Sequence, residues 1–233
     1  IGYYDHATGA VPKTRIVHDK QTVDDPHDNP SLSIDGDGHL WVFVSGRGRR
    51  RPGFVYRSHA PFDVESFEQI REWEFTYPQP WWNRQDGFLL MFTRYTTGRE
   101  LYFSRSRDGR EWSEVVKLVH GGHYQLSHAR GRRVITAFNT HVPFTNVDSR
   151  SNLYFLQTAD WGDTWATIDG GAMELPLDAV DNPALVRDYR SEGRLVYVKD
   201  IQFDARERPV LLYLTSSSHE PGPKGEPRVW TIA

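Results

Sequence analysis

The chain repeats itself at a spacing that few folds can use. Strand-length runs rich in apolar and aromatic residues, Leu40–Val44, Phe88–Phe92, Val134–Phe138 and Val210–Leu214, each follow a turn rich in Gly, Asp, Arg or Pro. Each is followed by a second such run: Phe54–Ser58, Leu101–Ser106, Leu153–Thr158 and Arg228–Thr231. Ser58 to Ser106 is 48 residues and Ser106 to Thr158 is 52, close to the roughly 40–50 residues of a four-stranded propeller blade. The expected fold is all-β: a β-propeller of four-stranded antiparallel blades, with four or five blades in this stretch. The period argues against a long sandwich.

Two of the second runs enter the same kind of turn, Thr158-Ala159-Asp160-Trp161-Gly162-Asp163-Thr164-Trp165 and the shorter Ser106-Arg107-Asp108-Gly109-Arg110-Glu111-Trp112. In such a turn the Asp accepts hydrogen bonds from its own backbone, Gly supplies a positive φ, and the Trp folds back over the hairpin. These match the Asp-box, a feature of the rim that speaks for fold and not for catalysis. The last repeat stops after its third strand, and Thr14–His18 reads as a fourth strand. Either that strand closes the ring or the chain is part of a larger propeller. The segment Ala184–Tyr189 reads equally as the outer strand of one blade or the inner strand of the next.

A length of 233 residues fits one all-β domain spanning 1–233. The formal net charge is −3, with 28 basic and 31 acidic residues interleaved, so no continuous basic field exists for a phosphate backbone and no nucleic-acid partner is expected. The one dense basic run, Arg47–Arg51, reads as a solvated loop or as a contact for an anionic ligand. There are no cysteines, which removes disulfides and thiolate ligands. Residues 1–6 lack the basic and apolar regions of a signal peptide, no apolar run approaches the ~18 residues of a membrane span, and no membrane partner is expected.

In a propeller the start of each blade's first strand and the end of its second emerge on one face beside the channel. This places His27, Gln79 and His123 with Arg94, Tyr95, Asn139 and His141, a set of imidazoles, amides, a cation and aromatics suited to a polar ligand. Trp81 and Trp82 read as core or as platforms for sugar rings. His27, His123 and His141 sit on different blades without short ligand spacing, so no metal and no cofactor is expected. No nucleophile-elbow motif accompanies the histidines. A paired-carboxylate glycosidase would draw on Asp25, Asp28 and Asp200, although Asp beside Asn and Pro is more often a turn former.

The segments Asp24–Leu32, Tyr77–Pro80, Gly122–Tyr124, Phe138–His141, Leu185–Tyr189 and Val196–Asp200 resemble the BNR-repeat propellers that include the ulvan lyases and an α-rhamnosidase family. Those relatives are seven-bladed and longer, and the chain resembles their N-terminal part. The resemblance implies β-elimination on a uronic-acid polysaccharide, with His123, His141 and Tyr189 as proton-transfer groups. It also puts Lys199 where the relatives carry an arginine that neutralises the uronate, and an ammonium cannot give the two-pronged fork of a guanidinium. His27 resembles a first-blade histidine of the rhamnosidases, so hydrolysis is the alternative, and a non-catalytic glycan-binding propeller is a third. A polysaccharide or oligosaccharide is the expected partner in each case, and a secreted or periplasmic location is the matching expectation.

Overall fold

The computed structural model describes residues 1–19, 25, 27–141 and 147–233, with His123 described by its backbone alone. The chain forms two compact units, one of Ile1–Tyr95 with Ser104–Glu114 and the other of Thr96–Phe103 with Val115–Ala233.

Four sheets follow one another along the chain, and nearly every strand lies beside its neighbour in sequence, as in propeller blades. The first holds β1 (Pro30–Ile34), β2 (Leu40–Val44), β3 (Gly53–Ser58) and β4 (Phe67–Trp73). The second holds β5 (Thr76–Asn83), β6 (Gly87–Tyr95), β7 (Arg99–Ser106) and β8 (Val116–Val119). In the third come β9 (Gly122–Arg130), β10 (Arg133–His141), β11 (Arg150–Thr158), β12 (Trp165–Ala166) and β13 (Ala172–Met173), with β14 (Leu185–Arg187) also paired to β11. The fourth holds β15 (Leu195–Phe203), β16 (Pro209–Ser216) and β17 (Val229–Ile232).

The continuous apolar runs become strands covered on both faces. β2 is buried along its whole length, and β6 and β10 are buried except at their ends, the pattern of strands packed between neighbouring layers. In the first unit Trp41, Phe43 and Phe88 pack together, with Trp41 and Phe88 ring centres 5.0 Å apart. In the second, Phe138 stacks on Tyr154 at 5.1 Å, and Ile135, Leu153, Phe155, Val196, Ile201 and Leu211 form one apolar cluster. Each such side chain contributes ~1.5–3 kcal/mol by burial.

The turns that close the hairpins use the chemistry read from the sequence. Asp108 Oδ1 accepts the amides of Arg110 at 2.8 Å and Glu111 at 3.0 Å, and Trp112 Nε1 donates to the Gly109 carbonyl at 2.9 Å. Asp160 accepts the Thr164 amide at 2.9 Å and its hydroxyl at 2.6 Å. Gly109 has φ +74°, and a Cβ there would overlap the Trp41 indole. Gly109→Ala should therefore cost ~2–4 kcal/mol, part from the left-handed backbone and part from the overlap. Gly131, at φ +60° with nothing within 4 Å of its would-be Cβ, supplies the control: Gly131→Ala should cost only ~1–2 kcal/mol. Denaturant unfolding of the two variants checks this, and equal losses would assign the whole effect to φ.

Thr14–His18 is not a strand. Thr14 makes an isolated bridge to Gly2, and the Ile1 ammonium and carbonyl both bond to the Arg15 backbone, so local contacts take up the hydrogen bonds a ladder would need. The ambiguity over Ala184–Tyr189 resolves toward the outer side of the third sheet, because β14 pairs with β11 while β15 begins the fourth.

Candidate functional site

Bulges shape the strand ends where the candidate residues gather. Phe138 pairs with Gln125 and Thr140 with Gly122, so His123 and Tyr124 together face Asn139. On the other side of β10, Phe138 pairs with Tyr154 and Thr140 with Ser151, so Asn152 and Leu153 together face Asn139. β15 carries its own extra residue at Lys199, between Val198 opposite Tyr213 and Asp200 opposite Leu212. Extra residues of this kind bend a strand and re-aim its side chains.

Asn139 is fully buried at this junction. Its side-chain nitrogen donates to the Val196 carbonyl at 3.1 Å and its oxygen accepts the Tyr124 amide at 3.4 Å. It therefore ties β9 and β15 to β10 and holds the residues around it in place.

The constellation that results centres on a residue not singled out from the sequence. Arg150, first in β11, pairs in register with His141, last in β10. Its guanidinium lies over the Tyr124 ring at 4.1 Å and over the Tyr197 ring at 5.3 Å. One Nη2–H donates to Asp148 Oδ1 at 2.9 Å, while Nε is buried with no hydrogen-bond partner among the described residues. Tyr197 in turn donates its hydroxyl to the Asp148 carbonyl at 2.9 Å. Burial raises the Tyr197 pKa, against the nearby Arg150 charge. Lys199 is exposed with its ammonium 5.8 Å from the Tyr197 ring centre, and Arg99 lies 5.7 Å from that of Tyr124. Three cations thus surround two aromatic rings, with the half-buried His141 on the strand beside them, an arrangement suited to a carboxylate-bearing ring.

Tyr189 lies elsewhere. It is 4% exposed within the apolar cluster of the second unit, its hydroxyl 2.8 Å from that of Tyr213. Burial and then the Tyr213 hydroxyl push its pKa up to about 12. The His123 side chain lies outside the described residues.

In the first unit the basic run folds onto two aspartates. Arg51 bonds to both Asp25 and Asp28, and Asp25 also accepts the His27 amide at 3.0 Å and its ring Nδ1 at 2.5 Å. Those two bonds from His27, with help from Arg47, lower the Asp25 pKa to about 2. Arg47 reaches the hydroxyls of Tyr77 and Tyr95, each at 3.4 Å, so His27 and Tyr95 belong to one network. The Arg94 Nε donates to the Glu74 carbonyl at 2.8 Å, and its guanidinium lies 5.3 Å from the Trp73 ring. Gln79 is half-buried in β5 opposite Met91. Among the described residues, no three His, Cys, Asp or Glu side chains converge as metal ligands.

The sequence pattern of the BNR repeat-containing family matches residues 1–228. The chain belongs to that family. Among solved structures, this BNR-repeat protein is similar to a polysaccharide lyase, the PL25 ulvan lyase, with a TM-score of 0.76 at 17% identity over 92% of this chain and 57% of that one. The same enzyme bound to -[GlcA(1-4)Rha3S]- gives a TM-score of 0.75 at 17% identity, with the same coverage. The likeness shows the propeller fold, and the BNR-repeat chain spans a little over half of the ulvan lyase's length. No curated protein sequence matches it.

Arg150 was missed because it belongs to no repeated run and follows a stretch without a motif. One signal could have found it: as the first residue of the strand that returns from His141, it had to stand at the same end of the hairpin. Tyr124 and Tyr197 sit in recognisable segments, but nothing in those segments says that their rings hold a guanidinium.

Proposed function

We infer that this protein is a carbohydrate-active enzyme, a polysaccharide lyase that cleaves a uronic-acid polysaccharide by β-elimination at the strand-end cluster of the second unit. The observation that carries this reading is Arg150, held between Tyr124 and Tyr197 with an unpartnered Nε and directly across the strand pair from His141. The fold likeness to the PL25 ulvan lyase supports it.

The C5 proton of a uronate is weakly acidic, so elimination needs the adjacent carboxylate neutralised as the proton leaves. In the proposed reaction Arg150 binds that carboxylate, with Lys199 adding a flanking charge. A base removes the C5 proton, the C4=C5 double bond forms, the C4–O4 bond breaks, and an acid protonates the departing O4. His141 and His123 are the proposed proton-transfer groups. Tyr189 is left out of the proposal, because its hydroxyl is engaged by Tyr213 in the core and its ionised form is disfavoured. Asn139 is assigned to holding the cluster in shape, and His27, Gln79, Arg94 and Tyr95, in the first unit, are assigned no proton transfer. Asp25 serves hydrolysis poorly as a general acid, since it holds no proton at neutral pH. A polysaccharide substrate goes with a secreted or periplasmic location.

Elimination leaves an unsaturated uronate that absorbs in the ultraviolet. Incubation with a panel of uronic-acid polysaccharides, ulvan included, should give a rising absorbance that falls ~10²–10⁴-fold in a folded His141→Ala variant. A flat trace with every substrate rejects the lyase. Release of reducing sugar without the absorbance indicates hydrolysis, and retention on a polysaccharide gel without turnover indicates a binding module.

A further inference from the structure

A second charged site lies in the first unit, at the opposite ends of the strands. The turns from β1 to β2, from β5 to β6 and from β7 to β8 enclose a groove of about 540 Å³ lined by Asp35, Asp37, Arg57, Trp82, Arg84, Arg107, Asp108 and Arg110, with Gly36 and Phe88. It lies at the Gly87 end of β6, whereas Arg94 and Tyr95 close the other end, roughly 27 Å away along an extended strand.

Most of the charges in the groove are committed to the turns. Asp35 accepts the amides of Asp37 and His39 and the Trp41 indole N–H, and Asp108 caps its own turn. Arg57 and Arg110 both reach Glu68. What remains is specific: Arg84 and Arg107 are exposed and make no side-chain hydrogen bond or ion pair among the described residues, and Asp37 has a free carboxylate. The half-buried Trp82 lines the same groove, packed so closely on Gly36 that a Cβ there would come within 2.5 Å of the ring.

We propose that this groove is a non-catalytic binding site for an acidic saccharide. A sugar ring stacks on Trp82, its sulfate or carboxylate is held by Arg84 and Arg107, and Asp37 accepts a ring hydroxyl. The unsatisfied guanidiniums select an anion, since each offers a planar fork of donors that matches two oxygens of a sulfate or carboxylate. The indole selects a ring with an apolar face. The proposal shares the substrate class of the function inferred above, but the groove is separate from the proposed reaction site and its occupancy does not require turnover.

The test is affinity gel electrophoresis of the whole chain through gels containing heparin, a sulfated uronate polysaccharide, with neutral dextran as control. The wild-type protein should be retarded by heparin and not by dextran. Arg84→Ala/Arg107→Ala should weaken that retardation at least tenfold, while Arg206→Ala, which removes an exposed cation outside the groove, leaves it intact. The arginine pair carries the test because both residues are exposed; Trp82→Ala, with its melting temperature checked, should give a comparable loss. Undiminished retardation of the arginine double variant overturns the proposal, as does an equal loss with Arg206→Ala, or no retardation of the wild-type protein. Since no catalysis is read, a protein that fails as a lyase still gives a clear answer here.

Discussion

Arg150→Ala is expected to abolish the rise in ultraviolet absorbance on a uronate polysaccharide, with a fall in kcat/KM of ~10²–10³-fold, the loss that follows removal of one preorganised charged donor from a site where negative charge develops. The carboxylate carries more charge as C5 loses its proton than it does in the resting substrate, so the larger share of the loss should fall on kcat and the smaller on KM. Arg150→Lys separates charge from geometry. It keeps the cation but cannot present two parallel N–H donors or set a planar guanidinium against Tyr124 and Tyr197, so it should recover only part of the rate. Because Arg150 also packs on those rings at 4.1 and 5.3 Å, melting curves must show both variants folded. Wild-type turnover by a folded Arg150→Ala variant would remove Arg150 from the site and return the carboxylate-binding role to Lys199.

The second large effect concerns stability at low pH. Glu100 in β7 is 1% exposed. It accepts bonds from the Thr97 hydroxyl at 2.8 Å and the Tyr102 hydroxyl at 2.8 Å, lies 3.1 Å from the Lys117 ammonium, and has His120 Nδ1 at 2.8 Å. Burial alone would raise its pKa, but these partners hold it down to about 2, against an ordinary value of 4.5. A carboxylate whose pKa is lower folded than unfolded gives stability that is fully present above the unfolded value and lost as pH falls through the folded one. The shift corresponds to a contribution on the order of 3 kcal/mol, present above about pH 4.5 and lost toward pH 2. Glu100→Gln, which removes the charge and sets an amide N–H₂ among donors, should lower stability at neutral pH by about that amount. The difference between wild type and variant should then shrink between pH 5 and pH 2. Denaturant unfolding across that range measures it, and a difference that stays constant with pH would show that Glu100 acts through packing and not through its charge.

The two predictions fall differently on what could be read in advance. Glu100 stands just before the run Leu101–Ser106 that the sequence reveals, yet its partners Lys117 and His120 are brought close only by the pairing of β7 with β8 and the turn that follows. The paired runs around Val42, Leu90 and Thr136 were legible because a strand covered on both faces must be apolar along its length. Asp108, Gly109 and Trp112 were legible because their interactions are with one another and span only a few residues. His141 was legible through its place at a strand end. Lys199 proved to be a bulge residue, and a bulge depends on the register between two strands, which one strand's sequence does not state.

Thus the sequence by itself determined the repeat, the all-β blade pattern, the turn chemistry and the family, since all of these rest on local periodicity and on short-range hydrogen bonds. Only the tertiary structure decided that Arg150 stands across from His141, that Tyr189 is buried against Tyr213, that Thr14–His18 is not a strand, and that Arg84 and Arg107 share a groove with Trp82. Each of those outcomes depends on which residues distant in sequence become neighbours, and packing settles that for the folded chain as a whole.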